Sequence, residues 1–210
     1  MNLKMTKCRV ASVAIAIVWL PLITTGGVAS ASGPSTQSYT TVPMTFVGVS
    51  SKTLLSNGTT QLNLANGQVL TVATSTATQI DTSTNSNGIQ PDNTVYGDCG
   101  YAEIYISPNS NNSGISGLTG WDVSTGDLGQ VVSFEWGVAI TNITYNRNKN
   151  EEWGGPYTSS SWFSSFYDNA GTGNYHSEVQ LANGSDGIVY GSYGICESAG
   201  PLVHSDTIVS

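Results

Sequence analysis

Three glutamates have the side-chain chemistry and the setting that a hydrolytic site requires. Glu103, Glu135 and Glu178 each occupy the polar position of a segment in which apolar residues recur at every second place. Glycoside hydrolysis needs only two carboxyl groups that face each other across a cleft, so a small secreted glycoside hydrolase is one hypothesis. The same positions suit ordinary solvent-facing residues of half-buried strands. The hydrolase is therefore the alternative and not the leading interpretation.

Aromatic residues concentrate in a second segment, between residues 153 and 167. Trp153, Tyr157, Trp162 and Tyr167 lie there, with further aromatic residues among them. An exposed row of such rings would be a platform on which pyranose rings stack, whereas a buried row would be core packing. Both interpretations stay open, and these four residues are the candidate ligand-stacking residues.

Other reaction classes lack their sequence signatures. The chain has no Gly-x-Ser-x-Gly nucleophile motif, no His-Glu-x-x-His zinc motif and no phosphate-binding glycine loop followed by Lys-Ser or Lys-Thr. Only two histidines, His176 and His204, are present to act as bases or metal ligands. We therefore expect no metal, no cofactor and, on the leading interpretation, no catalysis.

The elements that must position these residues are β-strands. Residues 132–140 alternate apolar side chains with small or polar ones, which is the period of a strand with one buried face. Asn-Gly pairs, which tolerate the positive φ angles of tight hairpin turns, separate several such runs. One of these pairs, Asn66-Gly67, predicts a hairpin over Leu62–Val72. Because no segment after the first 31 residues keeps a helical period beyond a couple of turns, the sequence predicts an all-β fold.

The chain divides into four predicted segments. Residues 1–31 are predicted to be a signal peptide, 32–80 a small N-terminal β-meander, 81–94 a polar linker and 95–210 an antiparallel β-sandwich or flattened barrel. The first segment has three basic residues and then an apolar run of roughly 14 residues, short of the ~20 that span a bilayer. We expect a secreted, extracellular protein with no membrane span once this segment is removed.

Removal of the predicted signal peptide would leave two cysteines, Cys99 and Cys196. In an oxidising extracellular setting, an even count of two cysteines predicts a disulfide. That bridge would close a loop of roughly 100 residues, for which the chain-entropy argument gives about 4–5 kcal/mol of stability. It would also close the predicted β-sandwich on itself.

The chain is acidic, with 14 Asp and Glu residues against six Lys and Arg residues. Three of the six basic residues lie in the predicted signal peptide, so the remainder would have three basic residues against fourteen acidic ones, a formal charge of −11. Such a surface repels polyanions, which argues against nucleic acid as a partner. Carbohydrate or an extracellular protein is the partner we expect.

Several short motifs follow one another along the second half of the chain. They are Gly97-Asp98-Cys99-Gly100, Phe134-Glu135-Trp136-Gly137-Val138, Trp153-Gly154-Gly155, Trp162 and Gly194-Ile195-Cys196. In this layout, over about residues 60–205, the chain resembles a set of secreted β proteins from actinobacteria that have no assigned function. The resemblance implies an exported β protein and no particular activity. Because no reaction class finds its full set of groups, our leading hypothesis is a non-catalytic extracellular protein that contacts a surface, a glycan or another protein.

Overall fold

The computed structural model describes residues 40–82, 99–198 and 203–210. The predicted signal peptide, the start of the predicted meander and most of the predicted polar linker lie outside these residues. The strands in the described ranges are β1 (Thr40–Val47), β2 (Val49–Leu54), β3 (Thr59–Leu64), β4 (Val69–Ala73), β5 (Gly100–Pro108), β6 (Ile115–Val123), β7 (Val131–Asn142), β8 (Arg147–Pro156), β9 (Ser161–Asp168), β10 (Gly173–Val179), β11 (Ile188–Gly191), β12 (Gly194–Glu197) and β13 (His204–Val209). The helices in the same ranges are α1 (Thr74–Ala77) and α2 (Thr125–Leu128).

Ten strands form one antiparallel sheet that folds over into two layers. Their order is β13-β10-β7-β11-β12-β1-β5-β6-β9, and β8 pairs with the other edge of β7. Two hydrogen bonds join strands that are distant in this order. The backbone N–H of Ile106 in β5 donates to Ser205 Oγ in β13, and Trp136 Nε1 in β7 donates to Thr119 Oγ1 in β6 at 2.9 Å. The predicted all-β sandwich is therefore confirmed.

Strand β1 passes from one layer of the sandwich to the other. Its residues Thr40–Met44 pair with β5, and Thr45–Val47 pair with β12. β1 falls within the range predicted for the N-terminal meander, but its hydrogen-bonded neighbours, β5 and β12, lie in the range predicted for the β-sandwich. No local sequence pattern records such long-range pairing, so the sequence alone places this strand with the meander.

The main core lies between the two layers. The alternation of residue types along β7 identified most of the side chains that this strand contributes to the core. Phe134, Trp136, Val138 and Ile140 are buried there, whereas the side chain of Glu135 between them points away from this core. The facing layer adds alternate residues of two strands: Ala102, Ile104, Ile106, Ile115, Trp121 and Val123. Each large apolar side chain buried in this way contributes roughly 1.5–3 kcal/mol of transfer free energy, so the period-2 pattern largely determines which face of each strand turns inward.

Strands β2, β3 and β4 form a small antiparallel sheet that packs on the large one. Their tight turns contain Asn57-Gly58 and Asn66-Gly67, whose glycines have φ angles of 81° and 89°, as the Asn-Gly pairs predicted. A second core joins the two sheets: Val49, Leu62, Leu64 and Val72 meet Val132, Ile188, Tyr190 and Ile195. Lys52 Nζ donates to the carbonyls of Ala77 and Ile80, which ties β2 to α1 and the turn after it.

The predicted disulfide between Cys99 and Cys196 is present, with a Cα–Cα distance of 6.0 Å. Cys99 immediately precedes β5, and Cys196 lies in β12 opposite Phe46 of β1. Strand β1 therefore runs between the two strands that the disulfide joins. Because Thr45 marks the point where β1 changes partner, the bridge fixes the fold where the two layers meet.

Candidate functional site

The exposed face of β7 and the edge strand β8 together present a pair of glutamates. Glu135 of β7 lies opposite Gly154 of β8, and Gly137 of β7 lies opposite Glu152. Side chains two residues apart along a strand share one face, so Glu135 and Glu152 are diagonal neighbours. Such neighbours lie about 7–8 Å apart at Cα, within mutual reach of long side chains. A side chain at Gly154 would meet the Phe134 carbonyl, so glycine allows β8 to lie close to β7 beside Glu135.

A cavity of about 510 Å³ opens at this pair of glutamates. Its lining residues are Glu135, Glu152, Trp153, Gly154, Leu181, Ala182 and Asn183. We call it the β7–β8 cavity. Its volume falls in the range of roughly 300–1,000 Å³ that small-molecule sites occupy. The cavity brings two carboxylates and the turn that contains Asn183 together on one concave surface. Trp153 borders it, but because Trp153 lies opposite Trp136 of β7, its ring is on the core side of the strand, where it packs against Trp162.

The turn after β10 forms one wall of the β7–β8 cavity, and local hydrogen bonds fix its position. The Ala182 N–H donates to Glu152 Oε1, and the Gln180 N–H donates to the Gly137 carbonyl at 3.0 Å. Within the turn, Asn183 Oδ1 accepts from the backbone N–H of Ser185 at 2.9 Å and from its hydroxyl at 2.6 Å. This Asx-type turn is what the sequence Leu-Ala-Asn-Gly favours.

The two glutamates of the cavity differ in their electrostatic surroundings. Partial burial of its carboxyl raises the pKa of Glu135, the Tyr190 hydroxyl opposes this by donating to Oε1 at 3.3 Å, and the charge of Glu152 adds to the rise. Burial, with the nearby Glu135 charge, also raises the pKa of Tyr190, so its hydroxyl stays a donor. In the described part of the chain, no ion pair includes either Glu135 or Glu152.

Three of the four candidate stacking residues form one half-buried aromatic cluster near the β8 and β9 strands. The ring centroids of Trp153 and Trp162 lie 5.5 Å apart, and those of Trp162 and Phe134 lie 4.9 Å apart. Tyr157 packs edge-on against Phe134 at 5.3 Å. Of these three candidates, Trp153 lines the β7–β8 cavity. The fourth, Tyr167, is 62% exposed and lies apart from the cavity lining.

The other two glutamates identified by sequence do not line the β7–β8 cavity. Glu103 extends from β5, where burial raises the pKa of its carboxyl, the Thr41 hydroxyl opposes the rise and the Asp122 charge adds to it. Glu178 extends from β10 and lies 3.5 Å from His176 Nε2. The fold therefore separates Glu103 and Glu178 from the glutamate pair of the cavity.

Sequence reasoning missed Glu152, which completes the pair with Glu135. Strand β8 lies at an edge of the sheet and reads Arg-Asn-Lys-Asn-Glu-Glu-Trp-Gly-Gly-Pro, with no alternation of apolar and polar residues. Because none of its side chains is fully buried, the period-2 signal that identifies other strands is absent. The useful signal was the position of Glu152 next to Trp153-Gly154-Gly155, a short segment with an aromatic ring and room for a ligand.

A second titratable cluster contains both histidines of the chain. The tripeptides His176-Ser177-Glu178 and His204-Ser205-Asp206 pair in antiparallel register, so each histidine lies opposite the acid of the other tripeptide. His176 Nδ1 lies 2.8 Å from Asp206 Oδ1, and the two imidazole centroids lie 5.4 Å apart. Within the described ranges, no group of three or more His, Cys, Asp or Glu residues is arranged to hold a metal ion.

A second concave surface of about 520 Å³ lies where β1 and β12 meet the β3–β4 turn. Asp186 and Glu197 line it; burial raises the pKa of each, and the Asp186 charge contributes to the rise at Glu197. Its one aromatic lining residue is Phe46. Because none of the glutamates or aromatic residues identified by sequence lines it, this surface is the weaker candidate for a glycan.

Neither helix described by the structure is long and apolar enough to cross a membrane. In comparisons with known proteins, the chain matches no family model, no curated protein and no solved structure.

Proposed function

We propose that this chain is a non-catalytic extracellular protein that contacts a glycan through the β7–β8 cavity. The observation that supports this most is the presence of Glu135 and Glu152 as diagonal neighbours on one concave surface. Sugars present hydroxyls that donate hydrogen bonds to carboxylates. A cavity of this size with two carboxyl groups is suited to a sugar unit.

The extracellular part of the proposal is supported by the predicted signal peptide and by the disulfide. Cys99 and Cys196 are joined and fully buried. Disulfides persist mainly in oxidising environments outside the cytoplasm. An exported protein whose surface is rich in hydroxyl and amide groups would meet glycans in such an environment.

The cavity is suited to a ligand that donates hydrogen bonds. Glu135 and Glu152 have no cationic partner among the described ion pairs, and ionised carboxylates only accept hydrogen bonds. Sugar hydroxyls can supply the donors without adding a negative charge. An anionic sugar would meet two carboxylates and is disfavoured for that reason.

A glycoside hydrolase is the second candidate function, and the geometry of the glutamate pair favours it specifically. Partial burial raises the pKa of Glu135, whereas Glu152 accepts the backbone N–H of Ala182. Two carboxyl groups in different surroundings on neighbouring strands are an arrangement that glycoside hydrolysis can use. In this candidate function Glu135 would be the general acid and Glu152 the base or nucleophile.

One experiment separates the two functions. The purified, disulfide-bonded protein is incubated with a panel of plant, fungal and bacterial polysaccharides, and both retention on the polymer and release of reducing ends are measured. The variants are Glu135→Gln and Glu152→Gln. Glu178→Gln is the matched control because it makes the same change outside the cavity.

Retention without release, weakened about tenfold by Glu135→Gln or Glu152→Gln and unchanged in the control, supports the glycan-contact function. Release of reducing ends that both glutamate variants abolish establishes the hydrolase instead. Neither retention nor release on any member of the panel would overturn both functions.

A further inference from the structure

Strand β9 presents one unpaired edge. It pairs with β6 along Ser161–Asp168, and the described strands include no partner for its other side. The carbonyl of Ser161 accepts from the Tyr157 hydroxyl at 3.0 Å, and the carbonyl of Tyr167 accepts from Lys149 Nζ at 2.6 Å. Because these two carbonyls accept from side chains, we assign the odd-numbered residues as those whose backbone groups point away from β6.

Phe163 and Ser165 lie in the middle of this edge. In an antiparallel strand, the backbone N–H and C=O of alternate residues point to the same side, so these two residues present their groups along with Ser161 and Tyr167. Two side chains occupy the ends of the edge, and the backbone between them is open to a hydrogen-bonding partner. An open strand edge is a template for another strand.

We propose that β9 pairs with β9 of a second copy of this chain, with the twofold axis at Ser165. In that register Ser165 faces its own equivalent, and Phe163 faces Tyr167 of the partner subunit on both sides of the axis. The residues that meet are all odd-numbered, so the backbone groups that face the open edge are the ones that pair. The proposal does not depend on the glycan function.

The exposed side chains of β9 match this register. Phe163 is 42% exposed and Tyr167 is 62% exposed, and both lie on one face of the strand on either side of Ser165. A side chain at Gly120 of β6 would collide with the Phe163 ring, so the ring rests on its own sheet at that position. Cross-strand aromatic pairs of this kind stabilise antiparallel sheets.

The self-complementary row favours a second copy over an unrelated strand. An aromatic ring stands two residues before Ser165 and another two residues after it, so a twofold axis at Ser165 brings unlike rings together twice. The only charged side chain of β9 is Asp168, at its end. Two copies therefore approach without like charges opposite each other at the centre, although the whole chain is acidic.

Lys149 should weaken the association of two copies, because it occupies part of the β9 edge. Its Nζ donates a hydrogen bond to the Tyr167 carbonyl and lies 4.8 Å from the centroid of the Tyr167 ring. It also forms an ion pair with Glu151 at 2.6 Å. Lysines at sheet edges discourage strand pairing in many proteins. Pairing of two copies would move Lys149 from the carbonyl, so we expect a dimer whose formation depends on protein concentration.

Analytical ultracentrifugation of the purified, disulfide-bonded protein across a range of concentrations tests the proposal. Ser165→Pro removes the central edge N–H, and proline is tolerated at an edge whose N–H faces solvent. Phe163→Lys introduces a charge into the row. Tyr145→Lys is the matched control because it changes another exposed aromatic residue, in the β7–β8 turn.

The expected result is a monomer–dimer equilibrium whose dissociation constant rises about tenfold or more in Ser165→Pro and Phe163→Lys and stays unchanged in Tyr145→Lys. Lys149→Met should lower it. Circular dichroism checks that each variant keeps the native sheet. If Ser165→Pro fails that check, the Phe163→Lys result decides. A wild-type protein that stays monomeric at every concentration, or a dimer that Phe163→Lys leaves intact, would overturn the proposal.

Discussion

The backbone N–H of Ala182 donates a hydrogen bond to Glu152 Oε1 and so joins the turn after β10 to the edge strand β8. This contact connects two segments that are 30 residues apart in the chain. It also holds the turn that carries Asn183 against the glutamate pair. The shape of the β7–β8 cavity therefore depends on a residue that also lines it.

Removal of the Glu152 carboxyl should loosen this wall of the cavity. Glu152→Ala leaves the Ala182 N–H without its acceptor, and we expect a loss of about 0.5–1.5 kcal/mol in the free energy of unfolding. Glu152→Gln keeps an amide oxygen in place and should cost less. Urea denaturation of both variants measures the difference, and equal stabilities would show that the hydrogen bond does not hold the turn.

The stability of the protein should fall as pH rises through the range in which Glu135 ionises. Folding raises the pKa of this carboxyl, chiefly by burial and in part through Glu152. A carboxyl group whose pKa rises on folding destabilises the folded protein when the pH is above the pKa that the group has in the unfolded chain, which is near 4.5 for Glu135. At lower pH the group has no effect on the free energy of unfolding. Glu135→Gln should therefore raise stability more at pH 7 than at pH 3.5.

Tyr190→Phe gives the opposite check on the same pH dependence. The Tyr190 hydroxyl donates to Glu135 and lowers its pKa, so loss of this donor should make stability fall more steeply as pH rises. Unfolding free energies of the wild type and both variants at several pH values provide the measurement. Parallel curves for all three proteins would refute the assigned role of burial at Glu135.

Reduction of the disulfide should cost a large part of the stability. Cys99 and Cys196 are 97 residues apart in sequence, and a loop of that length gives about 4–5 kcal/mol in the chain-entropy argument. The double variant Cys99→Ala, Cys196→Ala should unfold at much lower urea concentration than the oxidised wild type. It should match the reduced wild type closely, and a double variant as stable as the oxidised protein would exclude this contribution.

The hydrogen bond between Trp136 and Thr119 should stabilise the packing of the two layers against each other. Both residues are fully buried, and Thr119 Oγ1 is the acceptor for Trp136 Nε1. Thr119→Val leaves the indole N–H unpaired in the core, which costs about 1–3 kcal/mol. Thr119→Ser keeps the hydroxyl and should retain most of the stability in a thermal or urea denaturation experiment.

The sequence predicted those parts of the fold that depend on local patterns. The alternation along β7 identified its buried face from Phe134 to Ile140, and the Asn-Gly pairs identified the turns of the small sheet. The disulfide followed from the two cysteines that lie after the predicted signal peptide. Each of these features is set by neighbouring residues or by cysteine number, so one sequence is enough to find it.

The partners of each strand were beyond the reach of local patterns. β1 pairs with β5 and β12, whose residues lie about 60 and 150 positions later in the chain, so its place in the large sheet follows from long-range register. The same holds for the candidate site, because Glu135 meets Glu152 only through the register of β7 with β8. Three outward-facing glutamates could be recognised by sequence, but which carboxyl faces which could not.

Amide chemical shifts, measured while isotope-labelled protein is titrated with a soluble oligosaccharide, test whether the β7–β8 cavity contacts a glycan. The oligosaccharide is a soluble fragment of the polysaccharide that retains the protein. We expect the largest shifts at the cavity residues Gly154, Ala182 and Asn183, with saturation as ligand is added. Shifts confined to the exposed face of β9, around Phe163 and Tyr167, or no saturable shifts for any sugar of the panel, would contradict it.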